Sequence, residues 1–378
     1  MKITIIGGGN AGCWTALHFA YYAPKTVEIE LIYDKNIPAE PVGQGTTPAA
    51  ATMLWNVLGI DWHSNRIKAT PKSGVLYKGW GKRNKEYYHA FPMDTMALHY
   101  EPRELHRCIL ESKLFKVKEG NIRPEEIDSD YVIDASGKPN SFETYEILDN
   151  PLNAALISRK KRCKTNVDIW TRCSTTPDGW CFEIDNLDGT TSYGYLYNEN
   201  WSKEEDCRKH LERQFGITEA RRLKFNNYVS KDPIIDERII QTGNKLFFLE
   251  PLEATALKTY SHWARMIFDY TITKKKSSEE CKYKIYNYIK ETEEFINLHY
   301  AFGSRYNTIF WKKCEELYKP NSIRYDKIKS HIRKDWRERD NKRISQQQSW
   351  GQWGAYSLGG WYEAMGVEIA DRQLELAN

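Results

Sequence analysis

The sequence predicts an α/β fold that opens with a nucleotide-type β–α–β unit and closes with a helical part. Three observations predict it. The first 34 residues run from a short β-branched segment through a glycine turn into a helical stretch and back to an apolar strand. A second apolar segment, Tyr131–Gly137, ends in small residues. From 277 to 340, Tyr, Ile and Phe recur at helical spacing among charges.

Lys2-Ile3-Thr4-Ile5-Ile6 is short and β-branched, which suits a buried strand. Gly7-Gly8-Gly9-Asn10-Ala11-Gly12 follows at once, then Ala11–Tyr21 reads as a helix and Val27–Tyr33 as the second strand. In that context Gly7, Gly9 and Gly12 fit the dinucleotide-binding, Rossmann-like fingerprint. One glycine permits the tight turn, one lets the backbone approach a pyrophosphate, and one lets the helix pack on the strand. The helix start at Asn10 and Ala11 offers free N–H groups and the positive end of the helix dipole to phosphates. Asp34 lies about 20 residues beyond the turn, where an acid binds a ribose hydroxyl. This fingerprint does not choose between NAD and FAD. The segment Tyr131–Gly137, with Asp134 and Gly137, resembles the later FAD-contacting strand of flavoproteins with two dinucleotide folds, so FAD leads.

Composition sets outer bounds. The chain has 378 residues, enough for one large domain or two coupled ones. The net charge of +4 is a small excess of 55 basic over 51 acidic residues, which gives no case for nucleic acid. The runs Arg159–Arg162 and Lys274–Lys276 are short and read as solvated surface. Eight cysteines without a Cys-x-x-Cys pair show neither a metal pattern nor a disulfide framework, so no metal is expected and a reducing, cytoplasmic setting is. No apolar run reaches the ~18 residues of a membrane span, and the start reads as strand rather than signal peptide. Thirteen tryptophans and 24 tyrosines suit a pocket for flat aromatic ligands as well as a core.

Several further segments carry a more specific resemblance. Val42-Gly43-Gln44-Gly45-Thr46-Thr47-Pro48 resembles a G-x-G-E-A-T-x-P loop, with Gln44 in place of the acid. Lys72 lies eight residues before Trp80. Tyr87-Tyr88-His89-Ala90-Phe91 resembles F-Y-H-S-F, and Phe247–Thr255 resembles F-x-E-P-L-E-S-T. His299-Tyr300 through Ser304, Arg305, Thr308, Phe310 and Trp311 resembles a further stretch. Together with the glycine turn these segments resemble the flavin-dependent halogenases of the tryptophan-halogenase type, over most of the chain.

That resemblance implies an α/β (α+β) flavoprotein with a β-sheet substrate layer. Residues 1–270 are expected to form a discontinuous FAD-binding domain, and 271–378 a mainly helical subdomain covering the substrate. Pro320 and Asn321 interrupt the helical run, and the Gly- and Trp-rich residues 350–366 read as loop-like with a buried face. Reduced FAD from a separate flavin reductase, dioxygen and a halide are implied to yield hypohalous acid, which reaches a small aromatic substrate elsewhere in the protein. Lys72 and Glu253 are the implied catalytic residues, as polarising ammonium or haloamine former and as general base. Gly43, Thr46 and Leu249 join the FAD set. Thr255 and Ala256 offer backbone N–H groups to the halide, and His89, Phe91 and Trp353 flank the substrate. Self-association into a homo-oligomer is left open.

The sequence also departs from the family. The W-x-W-x-I-P hallmark, thought to keep the flavin from oxygenating substrate, appears as Trp180-Cys181-Phe182-Glu183-Ile184-Asp185. Ala254 and Ala256 replace a serine and a glycine. The insertion after His89–Phe91 in tryptophan-specific members is nearly absent, and no C-terminal match holds an amino-acid backbone, so free tryptophan is not the expected substrate. An aromatic hydroxylase and a non-catalytic flavin-binding protein of the same fold stay open as alternatives.

Overall fold

The computed structural model of the chain describes residues 1–37, 44–81, 86–91, 95–339, 349–350 and 353–368. Gly43 lies outside them.

The opening strand Lys2–Ile6 sits between two parallel neighbours, with Ile3 opposite Ile29 of Glu28–Tyr33 and opposite Tyr131 of Tyr131–Asp134. Lys116–Glu119 extends the sheet beyond Glu28–Tyr33, and Ile239–Gln241 beyond Tyr131–Asp134. Ile3 and Ile5 are wholly buried, as the β-branched run requires. The helix Asn10–Tyr22 crosses this sheet and packs on the helix Thr255–Thr271, with the Phe19 and Phe268 rings 5.3 Å apart.

The glycine turn is tight for a measurable reason. Gly7 has φ +110°, and a Cβ there would lie 2.2 Å from the Ala135 carbonyl oxygen. A Cβ at residue 12 would lie 1.9 Å from the Gly7 oxygen, so Gly12 is what lets the helix seat on the strand end. At Gly9 a Cβ would meet nothing within 4 Å.

The second layer is a seven-stranded sheet in the order Arg221–Lys224, Ala154–Lys161, Thr190–Tyr197, Gly179–Asp185, Trp170–Thr176, Gly74–Lys78, Tyr87–Ala90. Alternation divides its faces. Trp180, Phe182 and Ile184 join the main core, while Cys181, Tyr195 and Tyr197 pack under the helix Glu204–Phe215. A small sheet of Gln44–Gly45, Ala97–Tyr100 and Thr70–Lys72 lies beside these layers, pairing Lys72 with Ala97 and Gly45 with His99.

The helices Ser278–Ala301 and Ile309–Leu317 complete the core. Ser277 caps the first, its Oγ accepting from the Glu280 N–H at 3.1 Å. The second is pinned to the sheet by Trp311 Nε1–H to the Thr176 carbonyl (2.8 Å) and by the Thr308 hydroxyl to the Pro177 carbonyl (2.6 Å). Residues 355–365 correct the sequence reading: this Gly-rich stretch is a helix, not loop-like. Leu358, Trp361, Tyr362 and Met365 share one buried face, and that packing overrides the glycine penalty. Gly360 lies under Tyr87, whose hydroxyl would be 2.7 Å from a Cβ there. Among the described residues no helix is long and apolar enough to cross a membrane.

Gly12, which is tight, and Gly9, which is open, differ in their expected cost. Gly12→Ala should destabilise the fold by roughly 1–3 kcal/mol, as overpacking does, seen as a lowered Tm. Gly9→Ala should leave Tm nearly unchanged while weakening FAD binding in a fluorescence titration. Equal Tm values for the two variants would contradict this division of roles.

Candidate active site

The strand–turn–helix start presents what a dinucleotide needs. The helix Asn10–Tyr22 has no side-chain cap and no acid in its first turn, so its N–H groups stay available to an anion, and space is open beyond Gly9. Asn10 is held from two sides: its Nδ2 donates to Gln44 Oε1, and its Oδ1 pairs with His106 Nε2 at 2.7 Å. Burial pushes His106 down to about 4, which keeps it neutral as a donor. Gln44 Oε1 also accepts from the Tyr100 hydroxyl at 3.2 Å, so this amide oxygen has two neutral donors. Ala11 is buried in the same turn of helix.

Asp34 ends its strand, bonded to the Asn36 N–H (2.8 Å) and Asn121 Nδ2 (3.3 Å). Asp134 ends the neighbouring strand and accepts from the Ser136 N–H at 2.9 Å, ahead of the left-handed Gly137. Thr46 is buried, its hydroxyl accepting from the Leu98 N–H at 2.9 Å. Leu249 is buried just before Glu250. This surface fits FAD: open backbone at the turn, uncapped helix N–H groups, and an acid at the end of each adjoining strand.

Lys72 is 1 % exposed, although lysine is among the residues least often buried. Gly45 makes room for it, since a Cβ at residue 45 would lie 2.9 Å from Lys72 Nζ. Its ammonium lies 5.5 Å from the Phe91 ring centroid. Burial pushes its pKa down to about 8, against the opposing pull of Cys173 and Glu253. Among the described residues it has no hydrogen bond or ion pair. Trp80, eight residues on, donates its Nε1–H to the Cys173 carbonyl at 3.0 Å and is itself buried.

Glu253 stands on an unusual turn. Glu253 (φ 65°) and Ala254 (φ 53°) are consecutive non-glycine residues in the left-handed region, between the 3-10 turn Leu252–Ala254 and the helix Thr255–Thr271. Each costs of order 1–3 kcal/mol, so the surrounding contacts must hold the turn in place. It turns the carboxylate inward, where Oε1 meets His89 Nδ1 (3.0 Å), His299 Nε2 (3.2 Å) and Trp361 Nε1–H (3.3 Å). Burial alone would raise this carboxyl; the His89 charge and the donors on His299 and His89 reverse that and hold it well below the usual range. The sequence reading missed His299 and Trp361 as partners of Glu253. His299 stood in a matched segment without a role, and Trp361 was one of three nearby tryptophans.

The remaining residues are placed as follows. Thr255 and Ala256 start the helix after the strained turn, Thr255 buried and Ala256 exposed. His89 stacks on Tyr87 (5.8 Å between centroids) and bonds to Ser357 as well as Glu253. Phe91 lies over Lys72, and Trp353 packs on Phe295 at 4.2 Å, one ring removed from His299. Among the described residues, no direct ring contact joins His89, Phe91 and Trp353; the tryptophan in contact with Glu253 is Trp361. Trp180 donates to Glu250 Oε2 at 2.8 Å, and Phe182 fits against Gly194, where a Cβ would lie 2.1 Å from its ring. Ile184 is buried beside them. Asp185 sits on the opposite face, bonded to the Thr191 hydroxyl (2.7 Å) and Arg172 (3.3 Å), so the acid in place of proline anchors the sheet.

With this geometry in view, comparison with known proteins is decisive. The tryptophan halogenase family profile matches residues 2–123 and 116–355. The chain belongs to the tryptophan halogenase family. It is an enzyme of the flavin-dependent halogenase type. It is 21 % identical to the tryptophan 7-halogenase RebH of Lentzea aerocolonigenes, over 84 % of this chain and 79 % of that one. The fold is shared with the tryptophan halogenase of Shewanella frigidimarina NCIMB 400 (TM-score 0.80, 18 % identity, 98 % of this chain and 89 % of that one). It is also shared with BrvH, a flavin-dependent halogenase from Brevundimonas sp. BAL3 (TM-score 0.75, 17 % identity, 99 % and 92 %).

Glu250 supplies a pH test of the site's frame. Burial pushes its carboxyl up from 4.5 to about 7, opposed by donors on Asn150, Tyr300 and Trp180. An acid that binds its proton more tightly folded than unfolded loses stability as pH rises between those values, here by roughly 3 kcal/mol. Urea unfolding should show this fall between about pH 4.5 and 7, and Glu250→Gln should flatten that part of the profile. An unchanged slope in the variant would remove Glu250 as its cause.

Proposed function

We propose that this enzyme halogenates a small electron-rich aromatic compound, such as an indole or phenol without the amino-acid handle, through Lys72 and Glu253. The observation that carries this reading is the pair itself: a buried lysine without a hydrogen bond or ion pair among the described residues, electrostatically coupled to a buried glutamate held ionised by ring N–H groups. A structural lysine at 1 % exposure would be expected to hold a carboxylate or several carbonyls.

Gly7, Gly9, Asn10, Ala11, Gly12, Asp34, Asp134, Gly137 and Leu249 would hold FAD, with Thr46 behind them. Reduced FAD, brought by a separate flavin reductase, supplies hypohalous acid from dioxygen and halide. The N–H groups of Thr255 and Ala256, at the positive end of their helix, would hold the halide. The Lys72 ammonium donates to the oxygen of hypohalous acid and makes its halogen more electrophilic. A ring carbon of the substrate then forms the carbon–halogen bond as the oxygen–halogen bond breaks, and the departing hydroxide takes the Lys72 proton and leaves as water. Glu253 takes the proton from the same ring carbon, returning the C–H electron pair to the ring. Transfer of that proton back to Lys72 closes the cycle.

The choice of a substrate without the amino-acid handle rests on what surrounds Phe91. Only residues 92–96 separate it from the strand Ala97–Tyr100, where tryptophan-specific members carry an insertion.

With reduced FAD, dioxygen and bromide or chloride, mass spectrometry should find halogenated indoles or phenols and little halogenated free tryptophan. Lys72→Ala and Glu253→Gln should each lower product by about 100-fold or more, with FAD binding retained. Because Lys72 acts as the ammonium, kcat should fall as pH rises through about 8; a rise there would favour the amine instead. Oxygen from labelled dioxygen in the organic product, without halogen, would replace this reading with a hydroxylase.

A further inference from the structure

We propose that His299 is a positioning residue that carries protons on both ring nitrogens and keeps Glu253 an oriented carboxylate. The inference deepens the proposed function and rests on Glu253 acting there as proton acceptor.

The argument is one of proton placement. His299 is wholly buried, and its Nδ1 lies 2.7 Å from the carbonyl oxygen of Phe295, one turn earlier in the same helix. A carbonyl only accepts, so Nδ1 bears a hydrogen. Nε2 lies 3.2 Å from Glu253 Oε1, and that contact needs a second proton, on the imidazole or on the carboxyl. The same Oε1 also receives Trp361 Nε1, which can only donate, and His89 Nδ1. An oxygen that already receives the Trp361 N–H serves as acceptor toward the imidazoles as well, and we place the second proton on His299 on that ground. His89 meets the same oxygen through Nδ1, with its Nε2 on the Ser357 hydroxyl.

Charge agrees with this assignment. A carboxylate that is 4 % exposed costs several kcal/mol unless a cation faces it, and the buried imidazolium faces it in hydrogen-bonding contact. The other titratable groups around the pair come from several elements. Tyr77 lies on the strand Gly74–Lys78 with its ring 5.7 Å from that of His299. Cys173 lies on Trp170–Thr176, and burial and the Glu253 charge both keep its thiol protonated. Lys72 and Lys258, on a third strand and on the helix after Glu253, are cations that burial pushes down to about 8. Both lysines are within electrostatic range of Glu253. His299 meets its carboxylate at hydrogen-bond distance. The consequence is functional: Glu253 stays ionised, and so able to take the ring proton, at pH values where an isolated buried carboxyl would be neutral.

The test reads the proton directly. In FAD-saturated wild-type protein labelled with 15N-histidine, one ring with both nitrogens protonated should be present at about pH 7.5, and it should become neutral in Glu253→Gln. In His299→Gln, which keeps a side-chain N–H but no charge, the acid limb of kcat should move to higher pH than in the wild type, so that kcat is lost most at the acid end of the profile and least at about pH 8.5; KM should change little. Absence of a doubly protonated ring in the wild type, or parallel pH profiles for wild type and His299→Gln, would overturn the proposal. A doubly protonated ring together with full halogenation by Glu253→Gln would instead leave the pair standing and refute Glu253 as the proton acceptor.

Discussion

The Glu250 carboxylate is tied to parts of the chain 50 to 100 residues away from it on either side. It accepts from Trp180 Nε1 in the seven-stranded sheet, from the Tyr300 hydroxyl near the end of the long helix (2.7 and 2.8 Å) and from Asn150 Nδ2 (2.7 Å). Its own N–H donates to Asn227 Oδ1 at 2.8 Å. All these donors are neutral, so a fully buried acid is satisfied by hydrogen bonds alone. The strained turn at Glu253 and Ala254 begins three residues later, directly after that anchor.

The same knot gives the Trp180 motif a physical meaning. Trp180 is a strut between sheet and glutamate, with its polar edge committed to Glu250 and to the Tyr300 hydroxyl at 3.0 Å. Phe182 replaces a tryptophan in a slot whose floor is Gly194, and Asp185 exchanges a proline for an ionic anchor on the other face. Both departures from the family pattern are therefore accommodated within the sheet. The layers bring two chemistries to one interior: an uncompensated lysine on a three-residue strand beside a glycine, and an over-compensated carboxylate ringed by aromatic N–H donors. Low-dielectric burial draws the lysine toward neutral pH, while the His89 charge and the donors on His299 and His89 keep the glutamate ionised against that burial.

Legibility followed the range of the interactions involved. The opening strand, glycine turn, helix and second strand were readable to within one residue at the ends, because β-branched alternation, glycine sterics and helix spacing act locally. Lys72 and Glu253 could be picked out through the segments that contain them. Their burial and their pKa directions could not, because those depend on Gly45, Phe91, His89 and His299 arriving from elsewhere. The stretch 355–365 reads as loop because two adjacent glycines argue for loop locally, whereas the helix is fixed by the burial of Leu358, Trp361, Tyr362 and Met365 in the assembled fold.

What the sequence determined by itself was a dinucleotide-type start, a mixed sheet-and-helix body and the kinds of side chain available for chemistry. These follow from periodicity, turn sterics and residue type, which act within a few positions. What only the tertiary structure decided was the protonation and orientation of those side chains. Glu253 draws its partners from 46, 108 and 164 residues away, and the proton between Glu253 and His299 is placed only once an indole and two imidazoles surround one carboxylate oxygen and a backbone carbonyl faces the far side of His299. Hydrogen-bond direction and burial are properties of that assembled set, not of any segment within it.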